Sequence, residues 1–196
     1  MAFVETVTLQ GLHATLEPLA LSHARGIRLA VADGDLWKLW FTTVPSPEGV
    51  RTYIEQLLAQ RKQGQAFAFA VRDNTSGKIV GGTRYLNIDA ANRRLEIGGT
   101  WYAQSVQRTG INTECKLMLL AHAFETLDCI AVEFRTDWFN KRSQSAIERL
   151  GAKRDGVLRN HIIMPDGRVR DSVVYSIIKS EWPGVKTNLQ HKLNRG

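Results

Sequence analysis

Gln107-Arg108-Thr109-Gly110-Ile111-Asn112-Thr113-Glu114 joins a strand-like run to an amphipathic one. A loop that brings successive backbone N–H groups to a helix N-terminus suits a phosphate group. Upstream, Arg94-Leu95-Glu96-Ile97-Gly98-Gly99-Thr100-Trp101-Tyr102 reads as a strand whose paired glycines predict a bulge. Downstream, Leu117, Leu120, Ala121, Phe124 and Leu127 recur at helical spacing, with Met118 beside them, and predict one buried face. The order strand, loop, helix points to a phosphorylated cofactor. The plainer alternative is a glycine-containing connection that holds nothing. Neither G-x-G-x-x-G after a strand nor G-x-x-x-x-G-K-[ST] is present.

Outward from this loop the pattern continues in both directions. Val7 to Pro18 alternates around Gln10-Gly11 and predicts a short opening hairpin or bent strand, and Ser22 is a candidate cap for a helix through Ala32. Ser46-Pro47-Glu48 starts a second helix, with a capping hydroxyl, a first-turn proline and an acid near the positive end of the dipole. Val50, Tyr53, Ile54, Leu57 and Leu58 mark its buried face, and Gly64 stops it. The period then changes to two. Phe67, Phe69 and Val71 alternate with small residues, Asn74-Thr75-Ser76-Gly77 turns the chain, and Lys78 to Leu86 and Arg93 to Ala103 complete an antiparallel meander. Ile130 to Thr136 reads as a strand that a helix separates from the meander, so the two can run parallel. Asn140 caps the next helix, and a hairpin about Asp166-Gly167 closes the chain.

The 196 residues, 43% of them hydrophobic, are enough for one large domain with a full core. We assign residues 1–183 to it and expect 184–196 to be a basic, flexible tail carrying Lys186, Lys192 and Arg195. No apolar run approaches the ~20 residues that span a bilayer, and the start Met1-Ala2-Phe3-Val4-Glu5 lacks the character of a signal peptide, so a cytoplasmic protein is expected. Cys115 and Cys129 lack metal-like spacing and read as reduced thiols, and no metal site is suggested by the scattered His13, His23, His122, His161 and His191. The net charge of +7 suits polyanions in general. It is spread along the chain, without the basic helix or zinc-finger run of a specific nucleic-acid binder.

The chain resembles the GNAT superfamily of acetyl-CoA-dependent N-acetyltransferases, whose pyrophosphate loop runs Gln/Arg-x-x-Gly-x-Gly/Ala. Gln107 and Gly110 match this loop, and Asn112 stands where the family prefers a small residue. The resemblance spans nearly the whole chain and is closest to the RimJ/RimL-like branch. It is carried there by Asn140-Lys141-Arg142-Ser143 leading to Glu148-Arg149-Leu150-Gly151-Ala152, by the hairpin through Pro165-Asp166-Gly167-Arg168 to Asp171 and Tyr175, and by Glu181-Trp182-Pro183. It implies an α/β fold: a mixed, largely antiparallel sheet of six or seven strands with about four helices. A splayed parallel strand pair would hold the pantetheine arm of acetyl-CoA. Gln107, Arg108, Thr109, Gly110, Ile111, Asn112 and Thr113 would hold the cofactor, together with Trp101, Tyr102, Ala103, Asn140 and Ser143. Trp101 and Tyr102 could equally be core, and Asn140 only an N-cap.

Acyl transfer to an amine needs a neutral amine, a stabilised oxyanion and a protonated leaving sulfur. Glu96, on the strand entering the loop, is the candidate base, and burial would raise its pKa toward a useful value. The alternative is a solvated acid paired with Arg93 or Arg94. Ser143 shares a helical face with Ala146, Ile147 and Leu150 and is the candidate proton donor or relay, or else a first-turn hydroxyl. Ile147 occupies the position where many superfamily members carry a tyrosine. A backbone N–H of Trp101 to Ala103 is expected to face the oxyanion. Trp37, Trp40, Asp137 and Trp138, with Asp33 and Asp35, are candidate walls of an acceptor cleft, and such acids and aromatics would favour a cationic amine. The resemblance implies a primary amine on a small molecule or a peptide N-terminus as acceptor, the alternative being a non-catalytic acyl-CoA-binding or sensing module; a homodimer is compatible with the reading.

Overall fold

A computed structural model describes residues 3–194. Eight strands form one sheet in the order β1-β2-β3-β4-β5-β6-β8-β7. They are β1 (Leu9–Gln10), β2 (Ala14–Pro18), β3 (Ala66–Asp73), β4 (Ile79–Asp89), β5 (Arg94–Tyr102), β6 (Ala131–Asp137), β7 (Lys153–Ile163) and β8 (Val169–Ile178). The helices are α1 (Ala24–Ala32), α2 (Val50–Lys62), α3 (Ile111–Ala121), α4 (Lys141–Glu148) and α5 (Trp182–Leu193). The class is the expected one, with one strand and one helix beyond the expected counts. The opening hairpin expected over Val7 to Pro18 is formed by β1 and β2.

The sheet separates two apolar layers, because alternate strand residues point to opposite faces. Phe67, Phe69, Val71, Tyr85, Leu95, Ile97, Val132 and Phe134 pack with α3, α4 and α5. Ala68, Ala70 and Trp101 pack with Ile27, Val31, Val50, Ile54 and Leu57 of α1 and α2. Small residues on the second face of β3 let the α1–α2 layer lie close.

Two expectations at helix ends change. Ser22 does not cap α1; a short 3-10 turn, Leu21–His23, precedes the helix, and Ala20 N donates to His23 Nδ1 at 3.1 Å. Nor does Ser46 cap α2: its Oγ accepts from Gly49 N at 3.2 Å and closes a turn just before the helix, whose N-cap is Gly49. The supposed loose tail is the larger correction. Residues Trp182–Leu193 are helical, with Trp182, Val185 and Leu189 buried in the main core and Trp182 stacked on Phe124 at 5.4 Å. Its apolar residues lie at spacings of three and four, too few to stand out among the lysines.

Two features place the site. β5 and β6 are the sheet's parallel pair, and their register runs Arg94↔Ala131, Leu95↔Val132 and Glu96↔Glu133, then ends. From Ile97 to Tyr102 the β6-facing edge of β5 has no strand partner, so the strands splay. The β4–β5 ladder also slips, with Gly82 opposite Trp101 and Arg84 opposite Gly98. This is the bulge expected of Gly98-Gly99. Gly99 lies at φ +56, and a Cβ there would sit 2.6 Å from Arg84 Nε. Glycine is required by both conformation and space.

Candidate active site

Glu96 lies where β5 and β6 part. It is 4% exposed, accepts a 2.7 Å hydrogen bond from Asn87 Nδ2, and has Arg135 Nε 3.4 Å from its Oε2. Burial pushes its pKa above the ordinary value of 4.5, against the opposing pull of Arg135, Asn87 and Arg170. Neither Arg93 nor Arg94 is its partner: Arg93 pairs with Asp128, and Arg94 Nη2 donates to Glu133 Oε1 at 2.5 Å. A Cβ on Gly98 would stand 3.0 Å from Glu96 Oε1, so that glycine keeps one carboxylate oxygen approachable.

The loop before α3 presents unbonded donors. Gly110 is the N-cap, and Glu114 N already bonds to Gly110 O at 2.9 Å. Among the described residues, the amides of Arg108, Thr109, Gly110, Asn112 and Thr113 have no protein acceptor. Arg108 takes φ +66, which turns the chain at this point. Orphan N–H groups converging at the positive end of a helix fit a pyrophosphate. Thr109 Oγ1 donates inward to Val106 O at 2.7 Å, and Ile111 is core.

Several named residues hold the loop instead of offering side chains to a ligand. Gln107 Nε2 donates to Tyr102 O at 2.9 Å and its Oε1 accepts from Arg142 Nη2 at 2.7 Å, tying the loop to β5 and α4. Glu114 is buried, and its carboxylate accepts from the amides of Leu12, His13 and Ala14 at 2.7, 2.7 and 2.8 Å. This anchors the first turn of α3 to the β1–β2 connection. Trp101 and Tyr102 are both core side chains, on opposite faces of the sheet. Ala103 N donates to Val80 O at 2.8 Å and is not available to an oxyanion.

At the start of α4, Asn140 Oδ1 accepts from Ser143 N at 3.0 Å, so Asn140 acts as a cap. The Ser143 hydroxyl is half-buried and, among the described residues, has no hydrogen-bond partner. The cleft expectation is partly reversed. Trp40 does meet the far side, 5.8 Å from the Phe139 ring and 4.5 Å from the Arg168 guanidinium. Asp137, however, is 1% exposed, its Oδ2 accepting from Arg168 Nη2 at 3.0 Å and its Oδ1 from Phe139 N at 2.8 Å. It is an internal anchor, not an acidic wall. Trp138 lies under Lys141 and Arg154, and Trp37 under Lys38, outside the Trp40 cluster. Sequence reading missed Asn87, Arg84, Arg135 and Arg170, brought in by strand register, and Arg168, brought in by the turn before β8. The alternation Glu133-x-Arg135-x-Asp137 and the pair Arg168-x-Arg170 were the available signal.

A splayed parallel pair, a loop of free amides at a helix N-terminus and a desolvated carboxylate are the features that an acyltransferase acting on a phosphorylated thioester would need. The chain belongs to the acetyltransferase (GNAT) domain family, whose profile matches residues 13–153. Members use acetyl-CoA. The chain is 29% identical over 149 residues to YdaF of Bacillus subtilis (strain 168), a candidate ribosomal N-acetyltransferase, covering 75% of this chain and 80% of that one. It is 24% identical over 139 residues, 70% of this chain and 71% of the other, to the ribosomal protein uS5-alanine N-acetyltransferase of Escherichia coli (strain K12). A candidate acetyltransferase structure from T. thermophilus superposes with a TM-score of 0.84 at 35% identity, covering 97% and 98% of the two chains. These relatives agree with the RimJ/RimL-like branch.

Proposed function

We propose that this protein transfers the acetyl group of acetyl-CoA to a primary amine, on a protein N-terminus or a small molecule, with both substrates bound together. The observation that carries the reading is Glu96, buried at the point where β5 loses its partner strand. The free amides from Arg108 to Thr113 would cradle the pyrophosphate, and the unpaired edge of β5 would run beside the pantetheine. When bound, acetyl-CoA supplies an activated thioester.

The remaining chemistry falls to the chain's own groups. An α-amine has a pKa near ~8 and a lysine near ~10.4, so a proton must leave before attack. Glu96, held above its ordinary range by burial, can accept it, directly or through water. Backbone N–H groups of β5 short of Ala103 would meet the oxyanion, and the unbonded Ser143 hydroxyl would donate toward the leaving sulfur. The site brings the reactants together, and positioning is the main source of rate. A peptide N-terminus as acceptor is supported by the relative that acetylates an alanine of uS5.

Thiol release from acetyl-CoA across an amine library tests the reading. Turnover with at least one primary amine, lowered roughly 10²-fold in Glu96→Gln with acetyl-CoA affinity nearly unchanged, is the expected result. Acetyl-CoA binding without turnover on any amine would overturn it.

A further inference from the structure

The face of the sheet that carries Glu96 is rich in arginine. Cross-strand pairing puts Leu86, Glu96, Glu133 and Ser176 in one row, so Arg84, Arg135, Asp137 and Arg170 lie on the same face. Every carboxylate there is already engaged. Glu96 takes Asn87 and Arg135; Glu133 takes Arg94 and Arg135; Asp137 takes Arg168, with Arg170 Nε at 4.0 Å. The arginines keep donors to spare. The buried Nε atoms of Arg84, Arg135, Arg168 and Arg170 have no hydrogen-bond partner among the described residues, and Arg84 makes no ion pair there. His161, bonded to Ser172 at 3.0 Å, lies close enough to Arg135 and Arg170 to be held below its ordinary pKa, by burial first and by their charge second. It adds no compensating negative charge. Arg168 also stacks on the ring of the exposed Trp40.

From these leftover donors we infer that the acceptor carries an oxyanion, a carboxylate or phosphate, a few atoms from its amine, and that Arg84, Arg135, Arg168 and Arg170 receive it. The inference rests on the acetyl transfer proposed above. A partly desolvated guanidinium pairs strongly with an oxyanion, and its fork fixes the partner's orientation. With the oxyanion on the arginines, the amine is directed toward Glu96 on the same face. The same binding neutralises the arginine field that pulls the Glu96 pKa down, so the base strengthens when the acceptor arrives. A polyamine or other cationic acceptor would meet unbalanced positive charge.

The test compares three dipeptide amides, Ala-Glu, Ala-Gln and Ala-Lys, and, for the phosphate source, phosphoethanolamine against ethanolamine. The expected result is a kcat/KM for the anionic member of one set at least tenfold above its neutral partner, mostly through KM. That preference should shrink severalfold in Arg84→Gln, which leaves no acid unpaired, and in Arg168→Lys, which keeps the charge beside Asp137. A calorimetric titration with succinate and with inorganic phosphate reads the site without turnover. At least one should bind tenfold more weakly to Arg84→Gln than to wild type or the surface variant Lys62→Gln. Equal or better turnover of neutral and cationic acceptors overturns the inference and leaves the acetyltransferase reading standing. If no amine is acetylated that reading fails, and the titrations still decide: no Arg84-dependent binding of either anion overturns the oxyanion site.

Discussion

Glu96 is surrounded by groups that pull its pKa in both directions. Burial and the neighbouring Glu133 raise it; Arg135, Asn87 and Arg170 lower it, and burial prevails. The charged form is needed to accept a proton, so activity should fall as pH drops through a limb lying above the ordinary carboxylate value of 4.5. Arg135→Gln removes a favourable charge, and this acid limb of kcat/KM should move upward in a pH-rate profile. An unmoved limb in both Arg135→Gln and Glu96→Gln would assign the ionisation to another group. Glu114 presents the opposite case, a carboxylate held by three backbone amides and serving structure alone. Glu114→Gln keeps the shape but loses charge-assisted bonds, and should cost about 2–4 kcal/mol in urea unfolding. Gly11 belongs to this anchor, since a Cβ there would lie 2.4 Å from Glu114 Cδ.

At the scale of an element, α3 carries both the loop's N-terminus and a buried lysine. Lys116 is 6% exposed, with Nζ 2.6 Å from Thr100 Oγ1 and 3.4 Å from Thr83 Oγ1, and burial lowers its pKa to about 8. Below that pH the fold bears the cost of a buried charge. Between about 8 and 10.5 the unfolded chain keeps a proton that the folded chain has lost, so stability should rise with pH across that window. Urea unfolding should show a gain of roughly 1–3 kcal/mol there, absent in Lys116→Met. That variant is tolerable because the two threonine hydroxyls also bond to each other at 2.8 Å. Gly110, at the start of the helix, has an ordinary φ of −65, and its Cβ would meet His13 Cδ2 and Leu193 Cδ2 at 3.5 and 3.6 Å. Alanine therefore fits, and should leave acetyl-CoA affinity within about threefold. Valine has branches that must displace one of those neighbours, and should weaken binding beyond about tenfold, or ~1.4 kcal/mol, by calorimetry.

Across the whole molecule, the β1–β2 connection and α5 converge on the loop before α3. The β1–β2 connection grips Glu114, and Leu193 of α5 lies against Gly110. Deleting 184–196 removes the buried Val185 and Leu189, a loss of roughly 3–6 kcal/mol. Thermal unfolding should show that loss, and calorimetry a weaker acetyl-CoA site in whatever fraction stays folded; an unaffected deletion would mean that α5 is dispensable. Much of this architecture is written in short-range patterns. The turn at Ser46 that leads into α2, the meander, the Gly98-Gly99 bulge, the loop before α3 and the Asn140 cap each follow from residues within a few positions of one another, where periodicity and capping chemistry act. Glu96 stands out as a candidate for the same reason, through its place on the strand entering the loop. Its partners do not, because Asn87, Arg135 and Arg170 reach it by strand register, which sets the neighbours of a residue across the sheet. Asp137 reads as an exposed acid in one dimension and is an anchor for arginine in three. The elements and the class of chemistry are thus properties of the linear chain. Which charges engage one another and which are left for a substrate is settled only in the folded molecule, because pairing and desolvation belong to groups far apart in the chain.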